Sequence, residues 1–192
     1  TDHVAAEFDP LDVYMTNFTG TQNMVELARC LDIPIVYIGT CGIFDGAKES
    51  YTEEDQPSPL NHYGRSKYYG ELDTRAYKKH YITRCGWGFG GGPGIEKKFI
   101  NKIFQIIKSG VKVFPAIADV FGSPTYHPDF ARVIKHLTVK APYGTYNCGG
   151  SRASRFDVAK AFVEYLGLAD DIKVYPLSFD EYHAIYPYDV IY

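Results

Sequence analysis

Residues 33–40, Ile-Pro-Ile-Val-Tyr-Ile-Gly-Thr, constrain the fold of this chain more than any other stretch. The run from Ile33 to Gly39 is short, apolar and β-branched, and it shows no in–out alternation. That pattern fits a strand buried on both faces of a parallel sheet. In such sheets functional sites lie beyond the carboxyl ends of the strands, and Thr40 occupies that end. Residues 41–59 carry the breakers Gly42, Gly46, Pro57 and Pro59 and read as loop. A helix is expected from about Leu60 to His80. Its first turns carry Tyr63 and Lys67, whose four-residue spacing sets a phenol and an ammonium on one face. A phenol near pKa ~10 is a poor proton donor or acceptor at neutral pH. A cation beside it lowers that pKa towards the range where acid–base work is efficient. A Thr40 hydroxyl at the strand mouth is placed to hold a substrate oxygen against the tyrosine. In a chain with 17 tyrosines the Tyr–Lys spacing alone carries little weight.

The surrounding residues carry more. Thr40, Ile43-Phe44-Asp45-Gly46, Tyr51-x-Glu53-x-Asp55, Pro59-Leu60-Asn61-x-Tyr63-Gly64-Arg65-Ser66-Lys67 and Gly70-Glu71 closely resemble the extended short-chain dehydrogenase/reductases, nearest the dTDP-4-dehydrorhamnose reductase branch. The resemblance implies a Thr40–Tyr63–Lys67 catalytic triad. Lys67 would also hold the nicotinamide ribose, and Tyr63 would give or take the proton at the sugar oxygen. Cys41 stands where that branch commonly has Asp. Asn17 with Gly20-Thr21-x-Asn23 resembles a family helix whose Asn holds a backbone bend and an ordered water near the triad. By the same resemblance Cys85 and Gly86 lie beside the nicotinamide, and Trp87 stacks in the substrate pocket. Phe121-Gly122-Ser123-Pro124-Thr125-Tyr126 with Asp129 matches a substrate-side segment.

The rest of the chain alternates helical and strand-like periods. Helices are expected over Pro10–Asp32, with Pro10 in the first turn, over Lys97–Ser109 stopped by Gly110, over Pro128–Leu137, and from a Ser154-x-x-Asp157 capping box to Gly167. Strands are expected at Ile82–Cys85, Val111–Phe114, Tyr143–Cys148 and Ile172–Pro176. The tail to Tyr192 shows no clear period. The glycines from Gly86 to Gly94 invite a phosphate-cradle reading. They follow the Tyr–Lys helix, however, and have neither G-x-G-x-x-G nor Walker spacing. The fold expected is α/β: the C-terminal portion of a Rossmann-like parallel sheet with helices on both faces, plus a small substrate-side α/β lobe. We read 1–192 as one truncated domain, with about 1–110 the Rossmann-like remainder and about 111–192 mainly the lobe. The resemblance begins just after the family's fourth strand, at Thr1-Asp2-His3-Val4. The pyrophosphate-binding loop is therefore expected on residues upstream of this chain.

Net charge is −3 and no Lys/Arg run occurs, so neither nucleic acid nor a membrane surface is an expected partner. No apolar stretch approaches the roughly 20 residues of a membrane span, and the N-terminal residues lack the pattern of a signal peptide. Four scattered cysteines without C-x-x-C spacing read as reduced thiols in a cytoplasmic protein, with no metal site. The leading expectation is NADP- or NAD-dependent reduction of a nucleotide-linked 4-keto-6-deoxy sugar. One alternative is an NAD-dependent sugar-nucleotide epimerase or dehydratase; Cys41 replaces the acidic residue dehydratases usually place after the Thr. The other is a non-catalytic binding subunit resembling the regulatory subunit of methionine adenosyltransferase. A homo-oligomer and a missing N-terminal segment stand as the remaining partner expectations.

Overall fold

The computed structural model describes residues 3–92, 95, 96 and 98–186. The expectations for Thr1, Asp2, the Pro93-Gly94 end of the glycine run, Lys97 and the tail beyond Tyr186 lie outside the described residues. The elements in chain order are α1 (His3–Phe8), α2 (Pro10–Tyr14), a π-helical segment (Met15–Thr19), α3 (Gly20–Leu31), β1 (Ile35–Thr40), a 3₁₀ turn (Cys41–Ile43), α4 (His62–Arg75), β2 (His80–Cys85) and β3 (Gly88–Phe89). There follow α5 (Phe99–Lys108), β4 (Val113–Ile117), β5 (Phe121–Gly122), β6 (Thr125–Tyr126), α6 (His127–Lys140), β7 (Gly144–Asn147), β8 (Ala153–Ser154), α7 (Arg155–Tyr165), β9 (Lys173–Leu177) and α8 (Phe179–Ile185).

The chain divides into two compact units, one of residues 3–86 and 129–149, the other of residues 87–128 and 150–186. This differs from a boundary near residue 110. Residues 87–110 belong to the second unit because Ile103 of α5 joins the core under β4 and α7. Residues 129–149 belong to the first because β7 pairs with β2.

In the first unit β1, β2 and β7 form a parallel sheet in the order β1-β2-β7. Tyr81, Ile82, Thr83 and Arg84 of the central strand are all buried, as a strand covered on both faces requires. β1 lies beside β2 in a register that pairs Ile35 with His80 and Thr40 with Cys85. Val25 and Ala28 of α3 pack with Tyr77 and Ile35. The helix ends at Asp32, a left-handed residue with φ 54° whose N–H reaches the carbonyls of Ala28 and Arg29. The helix expected over 60–80 stops at Arg75 instead. Tyr77 leaves it to become buried, donating its hydroxyl to the Ile33 carbonyl (3.0 Å), and β2 begins at His80.

The second unit has a core of Ile103, Phe114, Ala116, Ala159, Val163 and Ile172. β4 pairs in parallel with β9, β3 in parallel with β6, and β5 antiparallel with β8. Ser154 caps α7 through the expected box: its Oγ accepts from Asp157 N–H at 3.0 Å, and the Asp157 carboxylate accepts from Ser154 N–H at 2.8 Å. A second box, Ser178 with Glu181, opens α8 in the stretch where no period was read. Among the described residues no helix is long and apolar enough to cross a membrane.

Candidate active site

The buried face of α4 is lined with small side chains, Gly64, Ser66, Gly70 and Thr74, rather than with an apolar stripe. Small residues let backbones approach. A Cβ on Gly64 would lie 2.4 Å from the Gly42 carbonyl oxygen, and one on Gly70 would lie 2.5 Å from the Asn17 carbonyl oxygen. The helix is thereby pressed onto both the turn after β1 and the π-helical segment. Its start is fixed by Asn61, whose side chain accepts from Gly64 N–H at 2.7 Å.

This approach brings Tyr63 to the carboxyl end of β1, where the Thr40 side chain lies close enough to act on its phenol. Thr40 Oγ1 also accepts the Gly42 N–H at 3.1 Å, which closes the 3₁₀ turn and fixes the hydroxyl's direction. Burial pushes the Tyr63 phenol up; the Thr40 side chain opposes this, and the Cys85 and Cys41 thiols add to the rise. The expected lowering by Lys67 is not found, because its ammonium is engaged elsewhere. Lys67 Nζ donates to the Ile38 carbonyl at 2.7 Å and lies 4.3 Å from the centre of the Tyr37 ring. Tyr37 in turn donates its hydroxyl to the Lys67 carbonyl at 2.7 Å, so strand and helix clasp each other at this pair. Burial draws the Lys67 pKa down to about 8, with Cys85 and Glu71 opposing.

Asn17 lies within the π-helical segment and is buried. Its Nδ2 donates to Ser66 Oγ at 3.0 Å, and Ser66 Oγ donates to the Tyr63 carbonyl at 2.8 Å. Asn17 thus supports the backbone of the tyrosine one residue removed, and the bend expected there is the π turn itself.

Thr40 and Cys85 stand side by side at the carboxyl edge of the sheet. Cys41 follows β1, and Cys148 follows β7 with its N–H on the Arg84 carbonyl at 2.7 Å. Burial, followed by the Cys85 thiol, pushes both Cys41 and Cys148 up to about 11, so at neutral pH they are thiols and poor nucleophiles. Gly86 ends the first unit's segment. Trp87 opens that of the second, where the Arg155 guanidinium lies 3.7 Å from its ring centre. Gly90, Gly91 and Gly92 have φ of 120°, 95° and 80°, and the next helix begins at Phe99, so no helix opens directly from these glycines as it does in a dinucleotide fingerprint.

Two features escaped the sequence reading. Glu71 and Arg84 form a fully buried pair, with Nη2 to Oε1 at 2.6 Å and Nε to Oε2 at 3.0 Å, joining α4 to the central strand. Glu53, in the long loop, accepts the Asn147 N–H at 2.7 Å and ties that loop to the end of β7. Only the presence of an acidic residue late in the α4 motif hinted at the first.

A sequence profile for the family described as RmlD substrate binding domain matches residues 1–186. The chain is 29% identical over 182 residues to the dTDP-4-dehydrorhamnose reductase of Mycolicibacterium smegmatis, covering 92% of this chain and 54% of that one. It is 38% identical over 173 residues to methionine adenosyltransferase 2 subunit beta of Rattus norvegicus, covering 84% and 51%. The crystal structure of dTDP-4-dehydrorhamnose reductase from Bacillus anthracis in complex with NADP superposes with a TM-score of 0.83 at 30% identity, over 92% of this chain and 62% of that one. The chain spans a little over half the length of these curated relatives.

Proposed function

This chain belongs to the RmlD substrate-binding-domain family, and from that premise we propose that the full-length protein reduces the 4-keto group of a nucleotide-linked 6-deoxy sugar with NADPH or NADH. The observation that carries this reading is the approach of Tyr63 to Thr40 at the carboxyl end of β1, with Lys67 one helical turn on. The cofactor, when bound, supplies the hydride. Thr40 orients the sugar carbonyl, its hydroxyl oxygen being held in place by the Gly42 N–H. Tyr63 supplies the proton to the oxygen as negative charge develops there. Its raised pKa keeps it protonated at neutral pH, as a proton donor in a reduction must be. The residues fit a nicotinamide ribose: Lys67 has three N–H donors and gives one to Ile38, so turning it towards ribose hydroxyls also brings its charge to the phenol. Cys85 and Gly86 would line the nicotinamide.

The test is steady-state turnover of a dTDP-4-keto-6-deoxy sugar by full-length protein and its Tyr63→Phe variant. Removing the proton donor while keeping the ring should lower kcat by about 10²–10⁴ and leave the melting temperature unchanged. Near-full turnover in Tyr63→Phe ends the reductase reading. A second reading, a binding subunit without turnover, is favoured by the higher identity to methionine adenosyltransferase 2 subunit beta, 38% against 29%. It predicts no consumption of NADPH with any keto sugar.

A further inference from the structure

Three of the four cysteines, Cys41, Cys85 and Cys148, gather at the carboxyl edge of the first unit's sheet. Arg84 is paired in register with Asn147, so the next step along the strands sets Cys85 beside Cys148. The Cys148 N–H on the Arg84 carbonyl at 2.7 Å carries that pairing past the end of β7. Register partners on parallel strands present their side chains on the same face, and neighbouring strands run about 4.8 Å apart. That spacing lies within the roughly 4.4–6.8 Å between Cα atoms that a disulfide spans. Cys41 lies one residue beyond Thr40, the partner of Cys85 on the other side, and so stands out of register with it. Cys85 and Cys148 are both thiols, and each donates over a long distance, Cys85 Sγ to the Gly39 carbonyl at 3.9 Å and Cys148 Sγ to that of Tyr146 at 3.5 Å.

The surroundings of the two thiols differ. Cys85 lies close enough to Lys67 and Tyr63 of α4, and to Cys41, for their charge states to act on one another. An ammonium beside a thiol favours the thiolate, which is the reacting form. Cys148 faces Cys85 of β2 and Glu53 of the long loop, and burial together with these neighbours pushes it up to about 11. Both cysteines are only half-buried. A thiol beside a cation, with a second thiol one strand away, is the arrangement of a dithiol that exchanges with disulfides.

We infer that Cys85 and Cys148 form a modification site that takes a low-molecular-weight disulfide and closes into a Cys85–Cys148 link across the ends of β2 and β7. In the first step Cys85 Sγ, as the thiolate beside Lys67, attacks one sulfur of R–S–S–R. A mixed disulfide forms, and RS⁻ leaves and takes a proton from solvent. In the second, Cys148 gives its proton to solvent and attacks Cys85 Sγ, and the other RS⁻ leaves and is protonated likewise. Two cysteine thiols are oxidised, and one small disulfide is reduced to two thiols. The scarcity of Cys148 thiolate makes the second step the slow one. Cys85 is the register partner of Thr40, so either product crowds the strand end that carries Thr40. The consequence for turnover rests on the reductase reading; the thiol chemistry does not.

Full-length protein is incubated with glutathione disulfide between about pH 7 and 9 and followed by intact mass and non-reducing peptide mapping. One glutathione adduct on Cys85 should accumulate first and then give way to the Cys85–Cys148 link. The closing step should quicken about tenfold per pH unit, because below its pKa the thiolate fraction of Cys148 rises by that factor. Cys148→Ser should hold the protein at the adduct, and Cys85→Ser should leave Cys148 unmodified over the same time. Turnover lost on closing should return with dithiothreitol. The proposal is overturned if Cys85 takes up no glutathione, if it links to Cys41 instead, or if Cys148→Ser still closes a disulfide at Cys85. Mapping in the parent protein decides the matter should a variant fail to fold. A catalytically unimpaired Tyr63→Phe removes the reductase reading and leaves the mapped link untouched, so the two can fail separately.

Discussion

Lys67 is the residue whose charge state the proposed reaction depends on, and burial draws its pKa down to about 8. Burial lowers it from 10.5, so between about 8 and 10.5 the folded chain binds fewer protons at this position than the unfolded one. The cost of holding the cation is therefore full below pH 8 and is relieved as pH rises through that window. Function runs the other way. Above about 8 the ammonium that would hold ribose hydroxyls is lost, so NADPH affinity of the full-length protein should decline through pH 8–9. Lys67→Met should bind weakly at every pH, without that decline; fluorescence titrations between pH 6.5 and 9.5 would show both, and a flat parent profile would count against the assignment. The places of Thr40 at a strand end and of Tyr63 and Lys67 on the helix that follows were legible because strand end, loop and helix follow one another in sequence. The Arg84–Glu71 pair was not, since its partners are 13 residues apart on different elements and nothing local announces an ion pair.

The crossing of α4 over the π-helical segment is what sets Tyr63 in place, and Gly70 is its tightest point. A Cβ there would stand 2.5 Å from the Asn17 carbonyl oxygen and 2.8 Å from the Tyr37 hydroxyl. Helix propensity alone favours Gly70→Ala by roughly 1 kcal/mol. The clash is with backbone, which cannot swing aside, and overpacking of this kind costs about 1–3 kcal/mol. We therefore expect Gly70→Ala to destabilise the protein, read as a lower urea midpoint with unchanged slope. A rise in midpoint would mean that the helices are not in close contact. The same crossing explains why an apolar-periodicity reading is weak for α4: its buried stripe is made of glycine, serine, threonine and the paired Glu71, and only the motif marks it. The Ser178–Glu181 box of α8 was readable by the rule that found the Ser154–Asp157 box. The two-residue strands β3, β5, β6 and β8 are too short to show a period of two.

At the scale of the whole molecule the sequence order hides the architecture, because β7 pairs with a strand about 60 residues upstream and no local pattern foretells that return. The resulting sheet leaves β1 at one edge. Edge strands invite pairing with other chains unless they are short, charged, bulged or interrupted by proline. β1 has six residues, Ile-Val-Tyr-Ile-Gly-Thr, with no charge and no proline, and Ile38 is 45% exposed. Longer relatives, of which this chain spans a little over half, have further chain with which to cover such an edge. Residues 1–192 expressed by themselves should therefore self-associate as concentration rises to about 100 μM, the range in which unpaired strand edges cause aggregation. Ile38→Lys places a charge on that edge while leaving the Ile38 carbonyl to receive Lys67, so it should suppress the association with little change in melting temperature. Light scattering across a dilution series measures both. If residues 1–192 remain monomeric over that range with and without the substitution, β1 is not an available edge.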